Sequence, residues 1–490
     1  MSEAIGSTGR IDKTLISTAR RILFERNLEE HIHQDLFYMC QIDFAHVLML
    51  AERRILSANT AKSLLNAITR LVEQRFAALK AKSSVRGLFL LYEGYLIETE
   101  GQEIGGMLQT GRSRNDLNAT LIKLRLREPY ALLIKAALRL QAVLIRRARK
   151  YRNAVMPAYT HSQAAMPTTY GHYLAGVAEA IRRDLDGLMD ATREINVSPL
   201  GAGAVAGTTV PIDPARTAEL LGFTSSALHS VDAVASRDVA LRILSAMAIY
   251  GATLSRMATD LLQWLTSEFQ FLSLPDDLVG SSSAMPQKRN PFLLEHVQGR
   301  SAAALGAFVS SLGATRNVPF TNSISVGTES IRPLWNALAD TMDATTLLRL
   351  VVSHARPNLE RMERRASDGF TTATEIAVRM VMEKGMDFRS AHRSVGKAVS
   401  ETLSRGLTSF EEMAAHGLHL FGVPLDGIDP KSCVERAKYG GGPAPESMDQ
   451  ILERLQQNWR RHQQATKKQV AQWKEAQSKL RQLVNEFCLA

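Results

Sequence analysis

From Val231 to Phe271, apolar side chains recur at helix spacing over about forty residues: Leu241, Leu244, Met247, Ala248, Leu254, Met257, Leu261 and Leu262. A helix of that length reaches about 60 Å. One small domain cannot cover it, so an extended bundle is expected, of the kind often shared between subunits. Arg237, Arg242 and Arg256 interrupt any membrane reading of the same stretch. Residues 59–82, 117–153, 170–194 and 294–313 carry the same three- and four-residue period, and 446–486 reads as a long amphipathic terminal helix. Alternating, strand-like stretches are scarce. The chain is therefore expected to be mainly α. Breaks are expected at Val197–Gly203, Ser273–Asp277, Arg356-Pro357 and Lys438–Pro445, where Gly, Pro and Asp cluster.

At 490 residues the chain exceeds the size at which one core keeps growing, so two or three domains are expected. A hydrophobic content of 45% and a charged content of 22% are those of a soluble globular protein. The net charge of +10 is not gathered into one block and suits attraction of an anionic substrate. The densest basic run, Arg146–Arg152, closes an apolar-periodic helix, where cations complement the helix dipole, and no aromatic interleaving accompanies it. Nucleic acid is accordingly not expected as a partner. Three cysteines, Cys40, Cys433 and Cys488, lack C-x-x-C spacing, which argues against a disulfide framework and a zinc site and suits a reducing cytoplasm. Met1–Arg10 lacks the apolar core of a signal peptide, and no long uncharged apolar run offers a membrane span. A cytoplasmic location follows as an expectation.

Three clusters carry chemistry. The first is Gly280-Ser-Ser-Ser-Ala-Met-Pro-Gln-Lys-Arg-Asn-Pro291, a glycine-opened turn dense in hydroxyls, with a lysine and an amide. The second is Thr110-Gly-Arg-Ser-Arg-Asn-Asp116, directly before a long helix: arginine grips carboxylates through paired hydrogen bonds, Ser113 and Asn115 are neutral donors, and backbone N–H groups at a helix start favour an anion. The third is Tyr159-Thr-His-Ser-Gln-Ala-Ala-Met-Pro-Thr-Thr-Tyr-Gly-His172. Here His161 is the functional candidate and His172 the weaker one. Glu295, at the start of the next helix after the serine-rich turn, is suited to hydrogen-bond a ring nitrogen of His161 and fix its tautomer. Each cluster also has a plain structural reading, as a polar turn, a capped helix start or a surface histidine.

Taken together, SSAMPQKRNP, TGRSRND and YTHSQAAMPTTYGH resemble the argininosuccinate lyase branch of the fumarase/aspartase superfamily. Supporting matches are Pro199-Leu-Gly-Ala-Gly-Ala204, Asp232-Ala-Val-Ala-Ser-Arg-Asp238, Ala373-Thr-Glu-Ile-Ala377, Phe388-Arg-Ser-Ala-His392 and Val395-Gly-Lys-Ala-Val399. The resemblance covers about residues 35 to 450. It implies a three-domain fold (1–115, 116–365 and 366–490) whose central long-helix bundle is shared in a homotetramer, each active site taking its three motifs from three chains. It implies reversible removal of an amine from an N-substituted aspartate to leave fumarate, with no metal or organic cofactor.

The resemblance also assigns roles. Ser282 stands where the family has its base, and removing a proton beside a carboxylate creates a doubly charged aci-carboxylate that needs fixed donors and a cation. Lys288 and Asn290 match the positions that hold this carboxylate. Ser113, Arg114, Asn115 and Thr160 match the remaining fumaryl contacts, and Ser283 and Met285 lie beside the base. His161, poised by Glu295, is the candidate acid or proton relay. The small residues around 280–285 suggest a loop that closes over substrate.

The departures concern the amine. The family's D-x-x-G-S-x-A-H aligns with Met39-Cys-Gln-Ile-Asp-Phe-Ala-His46, so Asp43 replaces a serine. E-D-x-H becomes Tyr92-Glu-Gly-Tyr95, Leu117 stands for a glutamine, and Asn322, Gly327 and Ser330 stand for the tyrosine, glutamine and lysine that line the arginine half. A polar partner left unmatched costs about 1–3 kcal/mol. An N-substituted aspartate other than argininosuccinate is therefore expected, as for a relative that cleaves ethylenediamine-N,N'-disuccinate (EDDS). Asp43 would pair with a substrate ammonium and Arg332 with a distal carboxylate. Argininosuccinate itself, and a non-catalytic crystallin-like role, are the alternatives.

Overall fold

The computed structural model describes residues 15–25, 28–80, 87–415 and 427–490. Met1–Arg10, expected to lack a signal-peptide core, lies outside them. Helices dominate, and the elements that position the motifs are α1 (Leu36–Glu52), α2 (Ala58–Glu73), α3 (Leu88–Glu100), α4 (Arg114–Lys150), the strands β1 (Val155–Thr160) and β2 (Gln163–Thr169), α5 (Tyr170–Ala191), α6 (Asp238–Leu265), α7 (Phe292–Ser301), α8 (Ala303–Thr315), α9 (Arg332–His354) and α10 (Pro445–Leu489).

Most periodic stretches become helices close to their expected bounds, but the 59–82 stretch gives α2 only to Glu73, where Arg75 and Phe76 turn the chain at φ 49° and 60°, and 294–313 divides at Ala302 into α7 and α8. The Val231–Phe271 stretch divides into Ser230–Ala235 and α6, because Arg237 sits between them with φ −131° and turns its guanidinium onto the Val234 and Ser236 carbonyls. Helix α6 is long and apolar enough to cross a membrane, yet Ile243, Leu244, Met247, Leu254 and Leu261 are buried in the bundle core, where α6 packs on α5, α7, α8 and α9.

Among the described residues three hydrophobic cores form, and they do not follow contiguous stretches of chain. The largest joins α4, α5, α6, α7, α8 and α9 with Met448, Leu452 and Leu455 of α10. The second joins α1, α2 and α3 with the first turns of α4, with Leu220 and Phe223, and with Leu480 and Val484 from the far end of α10. The third, smaller core gathers residues between Phe370 and Ile428. At 45 residues, α10 thus straps the first two cores together.

Helix α5 runs antiparallel to α4, while α6 and α9 run parallel to it. The Tyr170 N–H donates to Ala154 O, so α5 folds back along α4, and Tyr173 of α5 meets Trp264 and Asp260 at the C-terminal end of α6. Arg147, near the end of α4, donates to the Ser353 and Ala355 carbonyls at the end of α9. One end of the bundle therefore holds the β1–β2 hairpin and the exit of α6. The other holds the start of α4 and the approach to α9.

Candidate active site

The Thr110–Asp116 cluster forms the N-terminus of α4, with Ser113 as N-cap in a capping box. Asp116 is fully buried and accepts the N–H groups of Ser113, Leu117, Gly201 and Gly203, each at 3.0 Å. It ties the arginine loop to the Pro199–Gly203 turn. Burial raises its pKa despite those donors. Gly111, at φ 75°, leaves no room for a side chain, since a Cβ there would meet Ile212 at 2.8 Å. Arg114 is exposed at the helix start. Asn115 is oriented from both ends: its Oδ1 accepts from Asn322 Nδ2 at 3.0 Å and its Nδ2 donates to Ala204 O at 3.4 Å.

Asp43 does not reach the surface beside Ser113 and Arg114. Its side chain is fully buried in an ion pair with Arg112, whose own side chain is also fully buried, and Tyr92 packs beside the carboxylate. Desolvation raises the Asp43 carboxyl above the usual range, and a carboxylate sealed behind Arg112 is not available to a substrate ammonium. The expectation for Asp43 is corrected: it holds the loop. Next to it, His46 Nε2 donates to Thr110 O at 2.9 Å, gripping the same loop one step earlier. Glu93 is the half-buried acid in the field of Arg112 and Arg114, its pKa raised by burial.

Burial pushes the His46 pKa well below the usual 6.5. The unfolded chain takes up a proton below pH 6.5 that the buried ring refuses. Its contribution to stability is therefore complete above that pH and is lost as the pH falls, at about 1.4 kcal/mol per unit for one proton. His46→Gln keeps a donor for Thr110 O and removes this titration. Between about pH 7.5 and 5.5 the melting temperature of the wild type should drop more than that of the variant; parallel drops would refute the role.

The histidine cluster is a hairpin that the sequence did not announce. Tyr159↔Ala164 and Thr160↔Gln163 pair, leaving His161 and Ser162 as a two-residue turn with φ of 50° and 60°. Such turns favour Asn or Gly, so two other residues in the left-handed region store strain of order 1 kcal/mol each. Strain at an exposed histidine is itself a signal of use. Thr160 is exposed at the end of β1 beside it. His172 is structural: Nε2 donates to Gly441 O at 2.9 Å, leaving Nδ1 to accept from Thr168 Oγ1 at 3.0 Å.

The serine cluster is a loop closed at its neck. Gly280 and Asn290 exchange two backbone hydrogen bonds of 2.8 Å, and Arg289 anchors the outside on Leu274 O and Asp276. Within it, Ser282 Oγ accepts the N–H groups of Met285 at 3.1 Å and Ala284 at 3.4 Å. Two backbone dipoles aimed at one hydroxyl favour its oxyanion. Ser283, Met285 and Lys288 are exposed; the Lys288 N–H donates to Met285 O at 3.1 Å, while its ammonium has no hydrogen-bond or ion-pair partner among the described residues. Asn290 turns its amide toward Ser281 O at 3.4 Å. Glu295 is exposed in the first turn of α7.

Within one chain these parts do not meet. Helix α4 has 37 residues, so Ser113 and the hairpin stand about 55 Å apart along it. The serine loop lies at the hairpin's end of the bundle, where Tyr159 packs 5.6 Å from the Phe269 ring. Even so, among the described residues no hydrogen bond joins His161 to Ser282 or Glu295. Arg332 is exposed at the start of α9, 3.8 Å from Glu329. Ser330, expected to line the amine half, is instead buried with Oγ on Val326 O. Among the described residues, no three His, Cys, Asp or Glu side chains gather as a metal site.

Residues 54–306 match the Lyase family model, and residues 370–435 match the argininosuccinate lyase C-terminal model. Argininosuccinate lyase 1 of Shouchella clausii is 32% identical over 461 residues, covering 92% of this chain and 93% of its own. The argininosuccinate lyase of Methanothrix thermoacetophila is 35% identical, covering 84% and 85%. Among solved structures, EDDS lyase in complex with formate superposes with a TM-score of 0.85 at 28% identity, over 98% of this chain and 97% of that one. A 3-carboxy-cis,cis-muconate lactonizing enzyme from Pseudomonas putida, at 18% identity and a TM-score of 0.70 over 91% and 98%, shares the fold. With a family model over more than half its length and relatives this similar, the chain belongs to the argininosuccinate lyase branch of the fumarase/aspartase superfamily, the fumarate-forming carbon–nitrogen lyases.

Proposed function

We propose that the protein eliminates an amine from an N-substituted aspartate to give fumarate, and that the amine is not arginine. The observation that carries the chemistry is the pair of backbone N–H groups on Ser282 Oγ inside a loop that also presents Lys288. The Ser282 oxyanion takes the proton beside the carboxylate, and Lys288 and the loop donors meet the charge that develops. The Cα–N bond then breaks, and the nitrogen leaves with the electron pair and a proton from His161, which Glu295 orients. Ser113, Arg114, Asn115 and Thr160 hold the fumaryl portion, with Ser283, Met285 and Asn290 completing the loop's side.

What supports a different amine is the pocket's far half. Ser330 is withdrawn into the fold, and Asn322 is committed to Asn115. With Asp43 behind Arg112, Glu93 is the acid placed for a substrate ammonium and Arg332 the cation for a distal carboxylate. Argininosuccinate is the second reading, favoured by the names of the relatives at 32% and 35% identity. EDDS-like diamines are favoured by the structural neighbour of the same branch.

The 55 Å separation supports a site assembled from several chains, in a homotetramer that works in the cytoplasm. Leu305, Val309 and Leu312 form an exposed stripe on α8, at 56%, 62% and 40% exposure, and α6 adds Ile249 at 64%. A face so apolar calls for a neighbouring copy. A division at 115 and 365 remains our proposal for the domains, with α10 packing on the first two cores. The reaction is tested in reverse, with fumarate, a panel of arginine, ethylenediamine, N-(2-aminoethyl)aspartate and ammonia, and mass spectrometry of the products. A diamine adduct that Ser282→Ala does not make is the expected result. An arginine adduct alone would establish the second reading, and no adduct would overturn both.

A further inference from the structure

Between α1, α4 and α10 lies a cavity of about 470 Å³, walled by Phe37, Tyr38, Leu132 and Trp473. This is the size and lining of a metabolite pocket. Arg127 lines it and is only 8% exposed. A buried guanidinium is normally paired with a carboxylate. Here Nη1 donates to Leu221 O at 2.7 Å, and the group lies 4.3 Å from the Phe223 ring centre and 5.3 Å from that of Trp473. Nε and Nη2 have no hydrogen-bond partner, and no acid reaches ion-pair distance among the described residues. Lys135 and Lys474 also line the cavity against a single acid, Glu128, so its wall is net positive. Burial lowers the Arg127 pKa to about 9, which still leaves it charged at neutral pH.

We propose that this cavity binds a small organic anion, a carboxylate or phosphate ester carried on a flat apolar body. The anion neutralises Arg127, the lysines draw it in, and the body lies between the aromatic walls. Both unpaired guanidinium nitrogens are shielded from water, so binding requires the Arg127 side chain to turn toward the anion. Arg127 stands about 20 Å along α4 from Ser113, so the site does not depend on the lyase reading.

The test uses the whole protein with indole-3-acetate and phenyl phosphate as probes and neutral indole-3-acetamide as control, read by titration calorimetry and tryptophan fluorescence. At least one anion should bind saturably below about 1 mM, with the amide at least tenfold weaker. Arg127→Met should lose at least tenfold in affinity with elimination turnover unchanged. Should that variant not fold, Lys135→Gln combined with Lys474→Gln should weaken the anions and spare the amide. The preferred anion identifies carboxylate or phosphate as the source. Equal binding of the amide, or unchanged affinity in the variants, would overturn the proposal. So would no saturable binding of either anion, and a Trp473 closed to soluble quenchers would then assign the cavity to a subunit contact.

Discussion

Ser282→Ala is expected to lower turnover about a thousandfold, within the range that a positioned base contributes, while KM for fumarate and the melting temperature stay near wild type. Stability should hold because the hydroxyl sits on a loop whose neck is closed by Gly280, Asn290 and Arg289, none of which the substitution touches. The two N–H groups it releases belong to exposed residues and pass to water. The same variant tests the assembly. Refolded together with Arg114→Ala, itself inactive for want of its carboxylate grip, it should regain part of the wild-type activity. Mixed oligomers contain some sites with an intact serine loop from one chain and an intact arginine loop from another. Activity within about tenfold of wild type in Ser282→Ala alone would remove the serine as base. Absence of recovery on mixing would mean that the motifs do not come from different chains.

The helices were legible because their period is long and their caps are orthodox, as at Ser57, Ser113, Asp213 and Asp387. The hairpin was not. Its strands hold Pro157 and Pro167 facing one another, and its turn is His161-Ser162 where Asn-Gly would have marked it. The residue types of the serine loop were readable as chemistry, but Arg289, which anchors that loop, looks in sequence like one more surface cation. Asp116 and His46 were missed as determinants of site geometry for a different reason. Their partners, the Gly201 and Gly203 amides and the Thr110 carbonyl, are backbone atoms with no sequence signature. Separation along the chain hides the rest: nothing near residue 43 announces Arg112, and nothing near residue 115 announces Asn322.

Asp43→Asn is accordingly expected to act on the fold and on fumarate first. Removing the charge leaves Arg112 buried without an acid, and breaking a buried pair from one side costs about 3–5 kcal/mol. Arg112 lies in the loop that ends at Ser113, so its loosening should reach the groups that hold the fumaryl carboxylates. KM for fumarate should rise about tenfold, the equivalent of 1.4 kcal/mol, with KM for the amine unchanged. A direct ammonium partner would give the opposite pattern: a raised amine KM, intact stability and unchanged fumarate affinity. That result would return Asp43 to the pocket. The double variant Asp43→Asn, Arg112→Met separates the two consequences of the pair. Replacing both charges with groups of similar volume should recover most of the lost stability, because no unpaired ion remains. Fumarate affinity should not recover with it, since a methionine cannot draw the loop onto α1. Stability and binding then part company in one protein, as expected of a side chain whose work is to hold other side chains in place.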